Sequence, residues 1–347
     1  MYRTPVVTVD PCAPNPAAIG RAAALIRRGG LVVFPTETVY GLGANGLDEA
    51  ACRRIFAAKG RPADNPLILH LPGLAALPAL CRELPDLAHT LFEAFSPGPL
   101  TLVLKKSALV PAAASGGLDT VAVRIPDHPV ALALLRACRL PVAAPSANLS
   151  GRPSPTALSH VRGDLDGRVD LFLDGGPCRV GLESTVLSLA GEVPTLLRPG
   201  GISLEQLRAA IGEVAVAPSV TAPLAPDAAP AAPGMKYRHY APQAPLVLLV
   251  GPQDRVLAYM RAHLADRRVG ILCYEGEQDL FSAATAVEVL GAPGDNEAHA
   301  HRLFEALHRL DRAALDCIYA PLPSSEGLGL AVRNRLLKAA AHTVIEV

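Results

Sequence analysis

The chain has 347 residues, 50% hydrophobic and 18% charged, enough for two ordinary domains with buried cores. Lys+Arg and Asp+Glu both number 32, which argues against a broad cationic surface for nucleic acid or anionic membrane but leaves room for a small cationic pocket. No apolar run is long enough to span a bilayer, and "MYRTPVVTVDPCAPNP" lacks the pattern of a secretory leader, so a cytoplasmic protein is expected.

Helix-like and strand-like segments alternate from about Pro16 to Gly212. "NPAAIGRAAALIRRGG" reads as a helix stopped by Gly29 and Gly30, and "LVVFPT" as a short β-branched strand. "LDEAACRRIFAAKG" is a helix capped by Asp48 and ended by Gly60, with cationic residues towards its C-terminal half. "PLILHL", "LTLVLKK", "TVAVRIP" and "PVAAPSAN" read as strands, the last running into a turn. "LPDLAHTLFEAF" and "PVALALLRACR" read as helices, "STVLSLAGEVPTLLRPG" as a hairpin turning near Gly191, and "SLEQLRAAIG" as a capped closing helix. The composition then shifts to the Ala/Pro-rich "VAVAPSVTAPLAPDAAPAAPG", an expected extended linker that ends in "GMKYRHYAP". From Pro245 a second strand–helix alternation implies a mainly parallel, doubly wound sheet. The expected division is residues 1–212, a linker over 213–244, and a second domain over 245–347.

Seven Cys are scattered without a Cys-x-x-Cys pair, so most are expected to be core thiols rather than a zinc ribbon. "GLGANG" matches Gly-x-Gly-x-x-Gly, but "PTETVY" separates it from the preceding strand. A close-packing Gly-rich loop is the better reading there than a dinucleotide site. No Walker Gly-x-x-x-x-Gly-Lys-Ser/Thr is present, and no nucleophile–base pair stands out, which favours positioning over covalent catalysis.

The unusual polar residues gather at strand ends, where α/β sheets bind ligands. "KGRPADNPLILH" sets Lys59 and Arg61 in a Pro-stiffened loop, a compact charge beside a fork suited to polyphosphate oxygens. "DTVAVRIPDHP" buries Arg124 at the end of an apolar strand, where it needs an anion, either a structural carboxylate or a substrate carboxylate. "PTETVYG" carries hydroxyls and Glu37, and "APSANLSGRPSPT" packs Ser146, Asn148, Ser150, Ser154 and Thr156 into one turn region. Each motif taken singly also fits a polar loop or a structural ion pair; together they describe one pocket.

"GGLVVFPTETVYGLGANG", "KGRPADNPLILH", "DTVAVRIPDHP", "APSANLSGRPSPT", "GLESTV" and "LLRPGGI" stand in the order and spacing of the YrdC-like domain. With "GMKYRHYAP" and the second α/β domain, the chain resembles the two-domain L-threonylcarbamoyladenylate synthases over essentially its whole length. That resemblance implies an α/β protein with a YrdC-like twisted-sheet domain and a smaller C-terminal Rossmann-like parallel-sheet domain. It implies a nucleotidyltransferase that makes threonylcarbamoyl-AMP and pyrophosphate from L-threonine, bicarbonate and ATP, with Mg²⁺ accompanying the ATP. The product would serve N6-threonylcarbamoyl modification of adenosine 37 in tRNA, with downstream transfer proteins and only weak or indirect tRNA binding by this chain.

By motif position the resemblance assigns Lys59 and Arg61 to catalysis and phosphate neutralisation. Asn65, Thr120, Ser146, Ser154 and Arg198 fall on the ATP side, and Thr38, His70, Arg124, Ala144 and Ser184 on the threonine side. Lys236, His239 and Tyr240 of "GMKYRHYAP" are expected to reach the nucleotide as a lid, unless the aromatics only dock the second domain. Relatives that use carbamoyl phosphate are expected to carry acylphosphatase-like and Cys-x-x-Cys zinc segments, which this chain lacks. An RNA-binding module is disfavoured by the even charge.

Overall fold

A computed structural model describes residues 3–222, 239–265 and 267–347. The chain divides into two compact units, one through Ser150 and over Ser154–Val220, the other over the C-terminal part together with the turn Gly151–Pro153.

The first unit is built on an 11-stranded mixed sheet. Its strands are β1 (Val6–Thr8), β2 (Val32–Phe34), β3 (Gly41–Asn45), β4 (Ile68–His70), β5 (Leu100–Lys105), β6 (Thr120–Arg124), β7 (Val142–Ala143), β8 (Leu171–Asp174), β9 (Thr185–Ser188), β10 (Thr195–Arg198) and β11 (Ala215–Val216). The spatial order is β1-β8-β2-β3-β7-β4-β6-β5-β9-β10-β11. "GLGANG" is therefore not a loop. Its first five residues form β3, antiparallel to β2, because the absent side chain at Gly43 makes room for the Phe34 ring: a Cβ there would lie 2.8 Å from a ring carbon. β11 also falls within the stretch expected as linker, since Ala215 and Val216 pair in parallel with Thr195 and Leu196 on the sheet edge.

Local rules place the site's scaffold. The helix Glu49–Lys59 starts where the Asp48 carboxylate accepts from Ala50 and Ala51 N–H, and it stops at Gly60 in the left-handed region (φ 60°). That stop leaves Lys59 as the helix's last residue. The apolar core under the first strands joins Val32, Phe34, Val142, Leu171 and Leu173 to Ile19, Ala22 and Ile26 of helix Pro16–Arg27 and to Leu134 and Leu135 of helix Pro129–Cys138.

The second unit has a 5-stranded, fully parallel sheet: β12 (Leu246–Val250), β13 (Val269–Cys273), β14 (Ala286–Val289), β15 (Cys317–Pro321) and β16 (Val344–Glu346), in the order β14-β13-β15-β12-β16. Helices Gln253–Ala262, Asn296–Asp311 and Gly329–Ala339 connect the strands, as the alternating pattern predicts. Six of the seven Cys are buried and all are free thiols; Cys12 is exposed.

Candidate active site on one face of the first sheet

Strand register gathers the expected site residues. Paired residues on adjacent strands point to the same face, and so do residues two apart along a strand. In β6 the residues Thr120, Ala122 and Arg124 share a face. His70 pairs with Arg124 and Ile68 with Ala122. His70 also pairs with Val142, which puts Ala144 and Ser146 on that same face as the chain leaves β7. On the other flank Thr101 pairs with Arg124, and Val186 with Thr101, so Ser184 joins them.

Arg198 reaches this face only through an irregularity. Leu196 pairs with Leu187, so Leu197 should pair with Val186; instead Arg198 does, across a β-bulge. The extra residue turns Arg198 to the face of Ser184. Its guanidinium then donates through Nε and Nη2 to Ser184 O (3.1 and 3.0 Å) and through Nη2 to Ser184 Oγ (3.2 Å). Arg198, expected on the ATP side, thus stands against a residue expected on the threonine side.

The face has two ends. Thr120 opens β6 and Arg124 closes it, about 13 Å apart at the usual strand rise. The β4–β6 register carried back from Ile68 sets Pro66 level with Thr120, so the loop from Arg61 to Asn65 lies at the Thr120 end. Lys59 is 2% exposed, and its Nζ donates to the carbonyls of Ser146 and Asn148. Burial, then the neighbouring Arg61 charge, pushes the Lys59 amine well below its ordinary pKa; Asp164 and Glu183 pull the other way. Arg61 donates to the carbonyls of Asn65 (3.3 Å) and Pro66 (3.0 Å), folding the loop back on itself. Asn65 is 1% exposed, and neither polar atom of its side-chain amide has a hydrogen-bond partner among the described residues. A buried amide without partners is costly unless it serves a ligand. Ser154 is fully buried and donates to the Glu183 carboxylate.

At the other end His70 is buried, with Nδ1 3.2 Å from Ile68 O and its ring edge-on to Phe34. Burial, aided by the Arg124 charge, lowers its pKa to about 3, so the ring is neutral at working pH. Ser184 shares a 2.7 Å hydroxyl contact with Thr101. Thr36 donates its one proton to Val39 O (2.6 Å), so the 2.8 Å contact with Thr38 has Thr38 as donor. Thr36 also accepts from the N–H groups of Thr38 and Val39, which makes it the organiser of this turn. Tyr40 N donates to Pro155 O and Ala147 N to Tyr40 O, tying the "PTETVYG" loop to the "APSAN" turn. The loop's Glu37 is 1% exposed and stands beside Arg124.

Lys236 lies outside the described residues. His239 and Tyr240 are buried within the second unit. Tyr240 adopts φ 62°, its ring 5.4 Å from that of Phe304 and beneath the Arg335 guanidinium at 5.4 Å. In this structure Tyr240 thus packs against Phe304 and Arg335 of the second unit. Sequence reasoning did not single out Thr101 or Asp164, and it placed Glu183 only as a polar group of "LESTV" at a strand end, not as a charge acting on the Lys59 amine. The available signal for Thr101 was a single hydroxyl in the otherwise apolar run "LTLVL".

Two family models match this chain, and their boundary falls before helix Leu204–Ile211, which the structure keeps in the first unit. A family model described as telomere recombination matches residues 24–200, and one described as the C-terminal domain of threonylcarbamoyl-AMP synthase matches 202–341. The threonylcarbamoyl-AMP synthase of Pyrococcus abyssi is 47% identical over 94% of this chain and 95% of its own length. That of Bacillus subtilis is 47% identical over 98% of both. The crystal structure of P. abyssi Sua5 complexed with L-threonine superposes with a TM-score of 0.93 at 46% identity, covering 99% of this chain and 100% of that one.

Proposed function

The chain belongs to the threonylcarbamoyl-AMP synthase family, and we propose that its site condenses L-threonine, bicarbonate and ATP into threonylcarbamoyl-AMP and pyrophosphate. The observation that carries this reading is the single sheet face with cationic side chains at both ends. Lys59 and Arg61 stand by the Asn65 end, and Arg124 stands about four residues along β6. Such a face suits a polyanion laid beside a second, smaller anion.

In the proposed chemistry the threonine amine forms a C–N bond to the bicarbonate carbon while a C–O bond breaks and water leaves, giving a carbamate. A carbamate oxygen then attacks the α-phosphorus of ATP, and the bond to the β-phosphate oxygen breaks to release pyrophosphate. No protein nucleophile takes part, so the protein acts by positioning and by neutralising charge. Lys59 and Arg61 would face the phosphates, and Asn65 would offer its buried amide to the nucleotide. Phosphate charge beside Lys59 offsets the burial that lowers its pKa and holds the amine protonated. Thr120, Ser146 and Ser154 would extend the ATP side, with Arg198 reaching it from its seat on Ser184. Arg124 would take the threonine carboxylate, with neutral His70, Thr38, Ser184 and the small Ala144 around the rest. Mg²⁺ enters this reading as the companion of ATP. Other proteins would pass the product to tRNA, in keeping with the even charge of the chain, and the reaction would take place in the cytoplasm. No described helix is long and apolar enough to cross a membrane.

The test is incubation with ATP, labelled bicarbonate and each amino acid in turn, with mass spectrometry of the products. A labelled adenylate formed with threonine is the expected result; label-free AMP alone overturns the reading.

A further inference from the structure

A guanidinium 4% exposed needs an anion, and the structure supplies one from its own chain. Arg124 Nη2 lies 2.7 Å from Glu37 Oε1, with the two side chains 5% and 1% exposed. The contact is one of charge rather than an aligned hydrogen bond, since neither Glu37 oxygen has an aligned donor among the described residues. Arg124 Nε donates to Gly98 O at 3.4 Å. No hydrogen bond among the described residues uses Nη1. Glu37 is itself fixed from behind, its backbone carbonyl accepting from Val180 N at 2.7 Å. It also lines a cavity of about 700 Å³, shared with Asp10, Asp127, His128, Asp174 and Arg179.

We propose that Glu37 is the positioning residue of the amino-acid end: it holds the Arg124 guanidinium so that Nη1 is presented to the substrate carboxylate. The inference rests on the reading of Arg124 as that carboxylate's ligand. Two effects of removing Glu37 oppose each other. Loss of the internal negative charge makes Arg124 a stronger attractor of anions. Loss of the partner also frees a buried cation to turn, for instance by tightening its long 3.4 Å bond to Gly98 O. Orientation wins, because a carboxylate is recognised by directed N–H groups, and a buried guanidinium left without its counterion is strongly destabilised where it stands.

The experiment compares Glu37→Gln, Glu37→Asp, Glu37→Ala and Arg124→Ala with the parent protein. Calorimetry of L-threonine and of ATP is run on each, together with threonine KM and kcat. Glu37→Gln keeps shape and removes charge. It is expected to raise threonine Kd and KM about tenfold or more, the scale of one charge-assisted hydrogen bond, while ATP affinity and kcat stay within about threefold. Glu37→Asp restores part of the loss and serves as the readout if the Gln variant does not fold. L-Threoninol, which lacks the carboxylate, is the discriminating probe: Glu37→Gln leaves its Kd unchanged if Glu37 acts through Arg124. Acetate, entering by the cavity, is expected to rescue threonine binding in Glu37→Ala. Equal weakening of threonine and threoninol makes Glu37 merely structural and overturns the proposal. So does threonine binding at parental strength or tighter in Glu37→Gln while Arg124→Ala has lost it. If Arg124→Ala binds threonine normally, it is the underlying reading of Arg124 that fails.

Discussion

Replacing Arg61 by Ala separates a phosphate ligand from a loop brace. Among its interactions Arg61 donates to two neutral acceptors, Asn65 O and Pro66 O, the first of these bonds long at 3.3 Å. At about 0.5–1.5 kcal/mol per such bond, and with Arg61 half-buried, the fold should lose about 1–2 kcal/mol. Loss of a charged donor to phosphate costs more, about 1.5–3 kcal/mol, or roughly 10- to 150-fold in ATP affinity. The upper half of that range is expected because the same two bonds hold the loop that presents the buried Asn65 amide. Arg61→Lys keeps a charge but not the fork, so it should fall between. Calorimetry of ATP beside thermal melts checks both quantities. Normal ATP affinity in Arg61→Ala, with the melt unchanged, refutes the phosphate assignment. A large stability loss with ATP affinity scaling to it would make Arg61 a brace alone.

Threonine should be preferred over valine in pyrophosphate release, because Ser184, Thr38 and His70 leave polar groups unpaired against an isostere; equal release with both sinks the idea. His70 should make the protein acid-sensitive: its folded pKa of about 3 lies below the unfolded 6.5, so its contribution is present above pH 6.5 and is lost as pH falls towards 3. His70→Gln should flatten that part of the stability profile, and an unchanged profile would show the ring to be titrating normally. Gly200→Ala should lower the melting temperature and threonine binding together, since its Cβ would sit 2.3 Å from Thr185 N and 2.4 Å from Glu183 O, both backbone atoms. For the "GMKYRHYAP" segment, ATP with threonine should slow tryptic cleavage around Lys236–Arg238; equal rates with and without ligand favour docking over a lid.

Much of this was legible in the sequence because local rules suffice for it. The Asp48 cap and Gly60 stop deliver Lys59 to a helix end, and the alternation of "TVAVR" puts Thr120 and Arg124 on one face of one strand. The hairpin through Gly191 follows from two β-rich runs around a turn and is seen as β9 and β10. "GLGANG" misled because Gly count suggests a loop; its glycines instead let a strand pass the Phe34 ring, a contact made by residues that no local window joins.

The site's geometry depends on parity carried across strands, and parity is nonlocal. Arg198 shares the face of Ser184 only because one extra residue at Leu197 shifts the β9–β10 register; without it the guanidinium would point to the opposite face. Nothing in "PTLLRPGG" announces that bulge. Glu37 is hidden in the same way: "PTETVY" shows a carboxylate at a strand end, but not that it crosses to a strand four places away in the sheet. Buried Arg124 demanded an anion from its sequence context alone. That the chain answers part of the demand itself changes what the substrate meets. On the proposed reading the amino acid would not enter against a bare cation; it would meet a guanidinium already paired on one side with Glu37. Selection at this end would then rest on the direction of an N–H group more than on net charge, which is why the loss expected in Glu37→Gln should follow the substrate's carboxylate and vanish with an analogue that lacks it.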